Sequence, residues 1–289
     1  MKRFLISLVL LCVALGLSAQ NPSAYKIFTS DGKPVTYEQM INNLLKANVV
    51  FYGEQHNNSI AHWLELRITK SLYDKTNGQI VQGAEMFEAD VQLILDEYLS
   101  GFIREKDVKN EARVWPNYPT DYRPLLLFAH DHKIPFIATN IPRRYANLVF
   151  RHGLDALDSL SPQAKKYIAP LPIKFDPNLK CYKDMIQNMV HMGMHGSQNL
   201  AKAQAIKDAT MAYFISKNLP QKGIFIHYNG SYHSDNHLGI VYYLKIYAPK
   251  TKILTISTVE QDDISKLDDQ NKKLADFIVV VPSDMTKTY

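Results

Sequence analysis

The sequence predicts an α/β protein with a mostly parallel sheet, flanking helices and a helical cap insertion. Three observations predict it. Short apolar runs of strand length alternate with longer stretches of helical periodicity. The alternation breaks between about 154 and 200, where prolines and then methionines accumulate. The unusual polar residues fall just after the apolar runs, and the carboxyl ends of parallel strands are where such sheets bind ligands.

Val49-Val50-Phe51-Tyr52 reads as a buried strand running into Gly53-Glu54-Gln55-His56. Asn57 or Asn58 can then cap a helix that runs through Lys75, with Trp63, Leu64, Leu66, Ile68 and Leu72 supplying much of its apolar surface. Asn77-Gly78 stops it. A second strand, 79–84, ends at Glu85, and helical spacing resumes over about 89–99. After Gly101 a charged, loop-like stretch leads to Trp115 and Tyr118. Residues 121–133 read as a helix, and Pro135 opens a strand that runs into Asn140-Ile141-Pro142-Arg143. Pro142 suits the first turn of the next helix, where its missing N–H is not needed, and Gly153 ends that helix.

An interruption such as 154–200 inside an α/β pattern suggests a cap rather than more sheet. Beyond it the spacing predicts a helix over 201–219, a strand at 224–226 running into His227, a helix over about 237–247, and strands at 252–257 and 277–281. Alternation of this kind implies a parallel sheet covered on both faces.

The 289 residues are compatible with one domain once the first segment is set aside. Lys2 and Arg3, an apolar run from Phe4 to Leu17 and the small exit Ser18-Ala19 describe a secretory signal peptide over 1–19, leaving a single domain over 20–289. The run is shorter than the ~20 apolar residues a membrane span needs. Cys12 is read as part of the apolar run, because a lipoprotein signal would carry a small residue before it and Leu11 stands there. The expected location is therefore periplasm, cell envelope or medium, without a lipid anchor. Cys181 is then the lone cysteine, so an intramolecular disulfide is excluded. Loss of Lys2 and Arg3 takes the formal net charge from +5 to +3, too mild to suggest a nucleic-acid partner.

Glu54, His56, Glu85 and His233 are the residues that invite chemistry, and together they could ligate a divalent metal or activate water. In a metal-dependent hydrolase His56 and His233 would hold the ion while Glu54 or Glu85 acts as general base. Each taken singly reads more readily as a structural hydrogen-bonding group than as a ligand. Arg143, in the first turn after a strand, could hold a carboxylate, a phosphate or a haem propionate, or form a salt bridge to Glu85 or Glu54. Asn140 stands at the same strand end. The segment 185–195 is rich in Met and His, which can bind soft metals or haem iron, although a methionine stripe also serves as plastic core packing. Tyr182, His191 and His195 are the haem-ligand candidates there. The sequence lacks a Gly-x-Ser-x-Gly elbow, a phosphate-binding loop after the first strand and a cysteine-protease signature.

Gly53-Glu54-Gln55-His56, the run 85–92, the run 121–126, 138–143, 208–212 and Gly230-Ser231-Tyr232-His233 occur in an order that resembles the ChaN-like haem-binding uptake family. The resemblance covers roughly 45–250 and is weakest over 154–200. That family belongs to a wider group with Tiki-type metalloproteases and erythromycin-esterase-like hydrolases, whose Gly-x-x-His elements and intervening glutamate map here to His56, His233 and Glu85. The resemblance implies an α/β core with a helical cap, an envelope location, haem as ligand and a part in iron acquisition with other haem-transport components. The missing lipobox departs from the family's frequent lipoprotein character. Whether the protein forms a homodimer stays open at this point.

Overall fold

The structure, a computed structural model, describes residues 23–191 and 197–289. The proposed signal segment and His195 lie outside the described residues.

The chain opens with a small antiparallel edge, β1 (Lys26–Thr29) and β2 (Pro34–Val35), followed by α1 (Tyr37–Leu44). The repeating part comprises β3 (Val49–Glu54), α2 (Ser59–Lys75), β4 (Ile80–Glu88), α3 (Gln92–Leu99), α4 (Glu105–Glu111), α5 (Arg123–His132), β5 (Phe136–Asn140) and α6 (Arg143–His152). The interruption contains the single-turn α7 (Pro162–Lys165) and α8 (Lys180–His191). Then come α9 (Ser197–Lys217), β6 (Ile224–Gly230), α10 (Ile240–Tyr247), β7 (Ile253–Gln261) and β8 (Phe277–Pro282).

The eight strands form one sheet in the order β2-β1-β8-β7-β3-β6-β4-β5. The six from β8 to β5 run parallel, β1 pairs antiparallel with β8, and β2 forms the edge beyond it. Strand periodicity sorts the core into two layers. Val50 and Tyr52 pack with α1, α2, α3 and α5 on one face, while Val49 and Phe51 pack with α6, α8, α9 and α10 on the other. Connections run from β3 towards β4 on one face and from β6 towards β7 on the opposite face. The direction reversal makes the carboxyl ends of β3 and β6 a switch point, the crevice position where such sheets bind ligands.

Several local features differ from the sequence reading. β4 continues past Glu85 to Glu88, with an irregular register between Ala84 and Glu88. The first charge looked like a strand end, but Met86 and Phe87 remain buried core residues. The charged stretch after Gly101 holds α4. Trp63, expected on the buried side of α2, is exposed and lies against Tyr25. Pro142 is the N-cap residue and α6 starts at Arg143.

The start of α2 sets the geometry after β3. Asn58 is fully buried, and its side chain accepts from the backbone N–H groups of Ile60 and Ala61 at 3.1 and 3.0 Å. Its amide also donates to Glu260 Oε1 at 3.0 Å. Asn58→Ala is expected to lower stability by about 1–2 kcal/mol through loss of the cap. Equilibrium urea unfolding measures this, and an unchanged midpoint would show that the cap is dispensable.

Candidate functional site

Glu54, the last residue of β3, is buried at the crevice. Its Oε1 accepts from the Tyr122 hydroxyl and from His56 Nδ1, the latter at 2.7 Å. Its Oε2 faces His62 Nδ1 at 3.4 Å, and the same nitrogen lies 2.9 Å from Glu65 Oε2. The other ring nitrogen of His62 donates to the His56 carbonyl at 3.0 Å and lies 3.5 Å from Asp121. Burial pushes the Glu54 carboxyl up, but His62 and His56 outweigh it and bring the value to about 2. Burial pulls His62 down, but Glu54 and Glu65 hold it up at about 10. Glu65 goes the other way: burial first, and then Glu54, push its carboxyl well above the usual range.

A second charged chain crosses the crevice. Glu85 Oε2 accepts from the Gly230 N–H at 2.9 Å, and its Oε1 lies 3.1 Å from His233 Nε2. His233 Nδ1 is bonded to Asp208 on α9, and Asp208 accepts from the Tyr182 hydroxyl at 2.7 Å. Burial opposes charge on His233, but Glu85 and Asp208 raise it to about 10. Burial also works against Glu85, yet His233 and then His56 hold its carboxyl far below the usual range. Asp208 is raised, because burial outweighs the attraction of His233.

His56 joins the two chains. A Cβ at position 230 would lie 2.7 Å from His56 Nε2 and 3.6 Å from Glu85 Oε2, so glycine at the end of β6 lets the imidazole reach over the strand. The ring is half-buried, edge-on to Trp115 at 5.0 Å. Burial would lower its pKa, but the Glu54 hydrogen bond and the Glu85 charge raise it.

A cleft of about 440 Å³ lies at the carboxyl ends of β4 and β5, lined by Glu85, Glu88, Asn140, Arg143, Asn147 and Lys207 among others. A second hollow of about 410 Å³ shares Glu88, Trp115, Arg143 and Asn147 with it. Asn140 donates to the Glu85 carbonyl at 2.9 Å, and its Oδ1 has no partner among the described residues. Nearby, Arg113 and Arg144 are tied to Glu88 and Asp90.

Two sequence expectations need correction. Arg143 makes no ion pair with Glu85 or Glu54; it is exposed at the cleft wall, and the countercharge those carboxylates need comes from His56, His62 and His233. His233, proposed as a metal ligand, is instead held between two carboxylates, with Asp208 at Nδ1 and Glu85 at Nε2. Tyr182 is fully buried with its hydroxyl committed to Asp208, whereas His191 is exposed at the end of α8.

Sequence reasoning missed His62, Glu65, Asp121, Tyr122, Asp208 and Trp115. Asp121, Tyr122 and Asp208 stood inside the runs that carry the family resemblance but received no role. The signal for His62 and Glu65 was available: with Thr69 they form a polar stripe at helical spacing, and all three are buried.

The sequence pattern of a family described as "Haem-binding uptake, Tiki superfamily, ChaN" matches residues 40–244. Among solved structures, the fold is similar to "Cofacial heme binding to ChaN of Campylobacter jejuni", with a TM-score of 0.66 at 17% identity over 90% of this chain and 97% of that one. Weaker likenesses are the type III effector HopBA1, with a TM-score of 0.46 at 13% identity over 85% of this chain and 92% of that one, and a mutant of the erythromycin esterase EreC in its open conformation, with a TM-score of 0.46 at 9% identity over 85% and 78%. None of the curated protein sequences matches it. With the family's pattern spanning most of the domain, from α1 to α10, the chain belongs to the ChaN-type haem-binding uptake family of the Tiki superfamily.

Proposed function

We propose that this protein binds haem and serves haem-iron acquisition at the cell envelope after export. The observation that carries the reading is the family match over residues 40–244. The Campylobacter jejuni protein of similar fold is described as binding haem cofacially, which agrees with it. Export rests on the signal pattern of residues 1–19, and among the described residues no helix is long and apolar enough to cross a membrane.

Haem brings an iron that takes an axial nitrogen, oxygen or sulfur donor, two propionates and a flat apolar ring. The cleft does not fit the ring, because glutamates, asparagines and cations dominate its walls. Its rim suits the propionates, since Arg143 and Lys207 both line it. On the cap, His191 offers an exposed imidazole beside Val190, which is 60% exposed. Tyr182 would serve only by releasing Asp208. A metal-dependent hydrolase using His56 and His233 as ligands is not favoured, because the family match points to haem.

Titration of the purified protein with hemin is expected to give a saturable Soret shift; no saturable shift would end the haem reading. His191→Ala should weaken binding at least about tenfold, since even indirect supports of a metal centre cost that much when removed. Unaltered binding after joint replacement of Tyr182, His191 and His195 would remove the cap assignment while leaving haem binding in place. Arg143→Ala should also weaken hemin binding while leaving stability within about 0.5 kcal/mol, as expected for an exposed side chain outside the buried network.

A further inference from the structure

We propose that Glu54, His62 and Glu65 form a buried site for one divalent transition-metal ion of the zinc or manganese class, set behind the crevice. The proposal goes beyond haem binding and does not depend on it.

The donor atoms already converge. One ligand atom from each residue lies within 4.8 Å of the others, and all three residues are buried. His62 Nδ1 stands 3.4 Å from Glu54 Oε2 and 2.9 Å from Glu65 Oε2. Ligands about 2.0–2.1 Å from a tetrahedral ion lie roughly 3.3 Å from one another, so small adjustments would seat one. His62 and Glu65 are three residues apart on one face of α2, and Glu54 comes from the end of β3. The ion would therefore tie helix to strand.

The free valences point the same way. Glu54 is 2% exposed and Glu65 is fully buried, yet among the described residues Glu54 Oε2 and Glu65 Oε1 have no donor beyond a proton that the two carboxyls can share. Such orphan oxygens are costly in a low-dielectric interior. Two carboxylates and a neutral imidazole would balance a divalent charge where otherwise only protons can.

The surroundings are those of a ligand sphere. A metal-binding histidine usually donates its other ring N–H to a carbonyl or carboxylate, which fixes the tautomer. His62 Nε2 does so to the His56 carbonyl at 3.0 Å, with Asp121 at 3.5 Å, and this aims Nδ1, whose proton the ion would displace, at the two glutamates. Glu54 is held through its other oxygen by Tyr122 and His56. The donors are hard to borderline and lack sulfur, which favours zinc, manganese or ferrous iron over cuprous copper. The half-exposed His56 ring, bonded to Glu54 Oε1, connects the cluster to the surface.

The test uses the haem-free full protein, stripped with chelator and dialysed against Zn²⁺ or Mn²⁺. Elemental analysis should find one equivalent of one of these ions, with a rise in melting temperature over the stripped protein. Glu65→Gln and His62→Gln should each lower affinity about tenfold or more, and circular dichroism shows whether each variant is folded. Substoichiometric metal without a thermal shift in the wild type would overturn the proposal, whether or not the variants fold. So would full binding in both folded variants, which would mark an adventitious surface site. Hemin titration of the same samples is read separately, so loss of one activity is not mistaken for loss of the other.

Discussion

His233→Ala is expected to lower the melting temperature by about 10 °C. The substitution leaves Glu85 and Asp208 buried without the imidazolium between them. Removing one partner of a buried ion pair costs about 3–5 kcal/mol, because the remaining charge is uncompensated. In a domain of this size each kcal/mol moves the melting temperature by about 2–4 °C. The loss should depend on pH with a defined sign. His233 is raised to about 10 in the folded protein, so its contribution is complete below the unfolded value near 6.5 and declines as pH climbs towards 10. Glu85 is depressed, so its contribution is complete above the unfolded carboxylate value near 4.3 and is lost as pH falls below it. The difference between wild type and variant should therefore be largest between about pH 4.5 and 6.5 and shrink on both sides. Melting curves at pH 5.5, 7.5 and 9 measure it. A small penalty that is constant across that range would contradict a charged His233 between two carboxylates.

Gly239→Ala should be nearly as damaging, although residue 239 carries no charge and touches no proposed ligand. Its backbone sits at φ 54° and ψ −118°, a region essentially closed to residues with a Cβ. An added Cβ would also lie 2.3 Å from the His233 carbonyl oxygen and 3.3 Å from Asp208 Oδ2. Backbone strain and overpacking together are expected to cost about 3–5 kcal/mol. Relief of the clash must move the segment that carries His233 away from Glu85. Chemical denaturation measures the loss, and the pH dependence just described should flatten in the variant because the ion pair is displaced. Near-wild-type stability with an unchanged pH profile would show that the turn adapts without disturbing the pair.

The sequence by itself determined the fold class, and for a physical reason. Buried parallel strands must be short and apolar, amphipathic helices must repeat near every third or fourth residue, and both signals are local. The runs beginning at Val49, Ile80, Phe136, Ile224, Ile253 and Phe277 are strands of one sheet, and the polar residues placed after the first of them do stand at strand ends. The family was legible too, because ordered motifs such as Gly53 to His56 and Gly230 to His233 survive in linear form. Strand ends were less legible: β4 runs through Glu85, since a charge neutralised by a distant histidine can be buried where local pattern says it cannot.

Only the tertiary structure decided which polar residue meets which. His233 pairs with Asp208, 25 positions away, and with Glu85, far more distant along the chain. His62 and Glu65, given no role by the sequence, are turned by α2 onto the end of β3. Arg143, for which the sequence allowed a salt bridge to the site carboxylates, stands instead exposed on the cleft wall, and three histidines take that place. Periodicity reports which side of an element is buried. It carries no record of the partners across the interface, and in a buried polar site those partners set every charge.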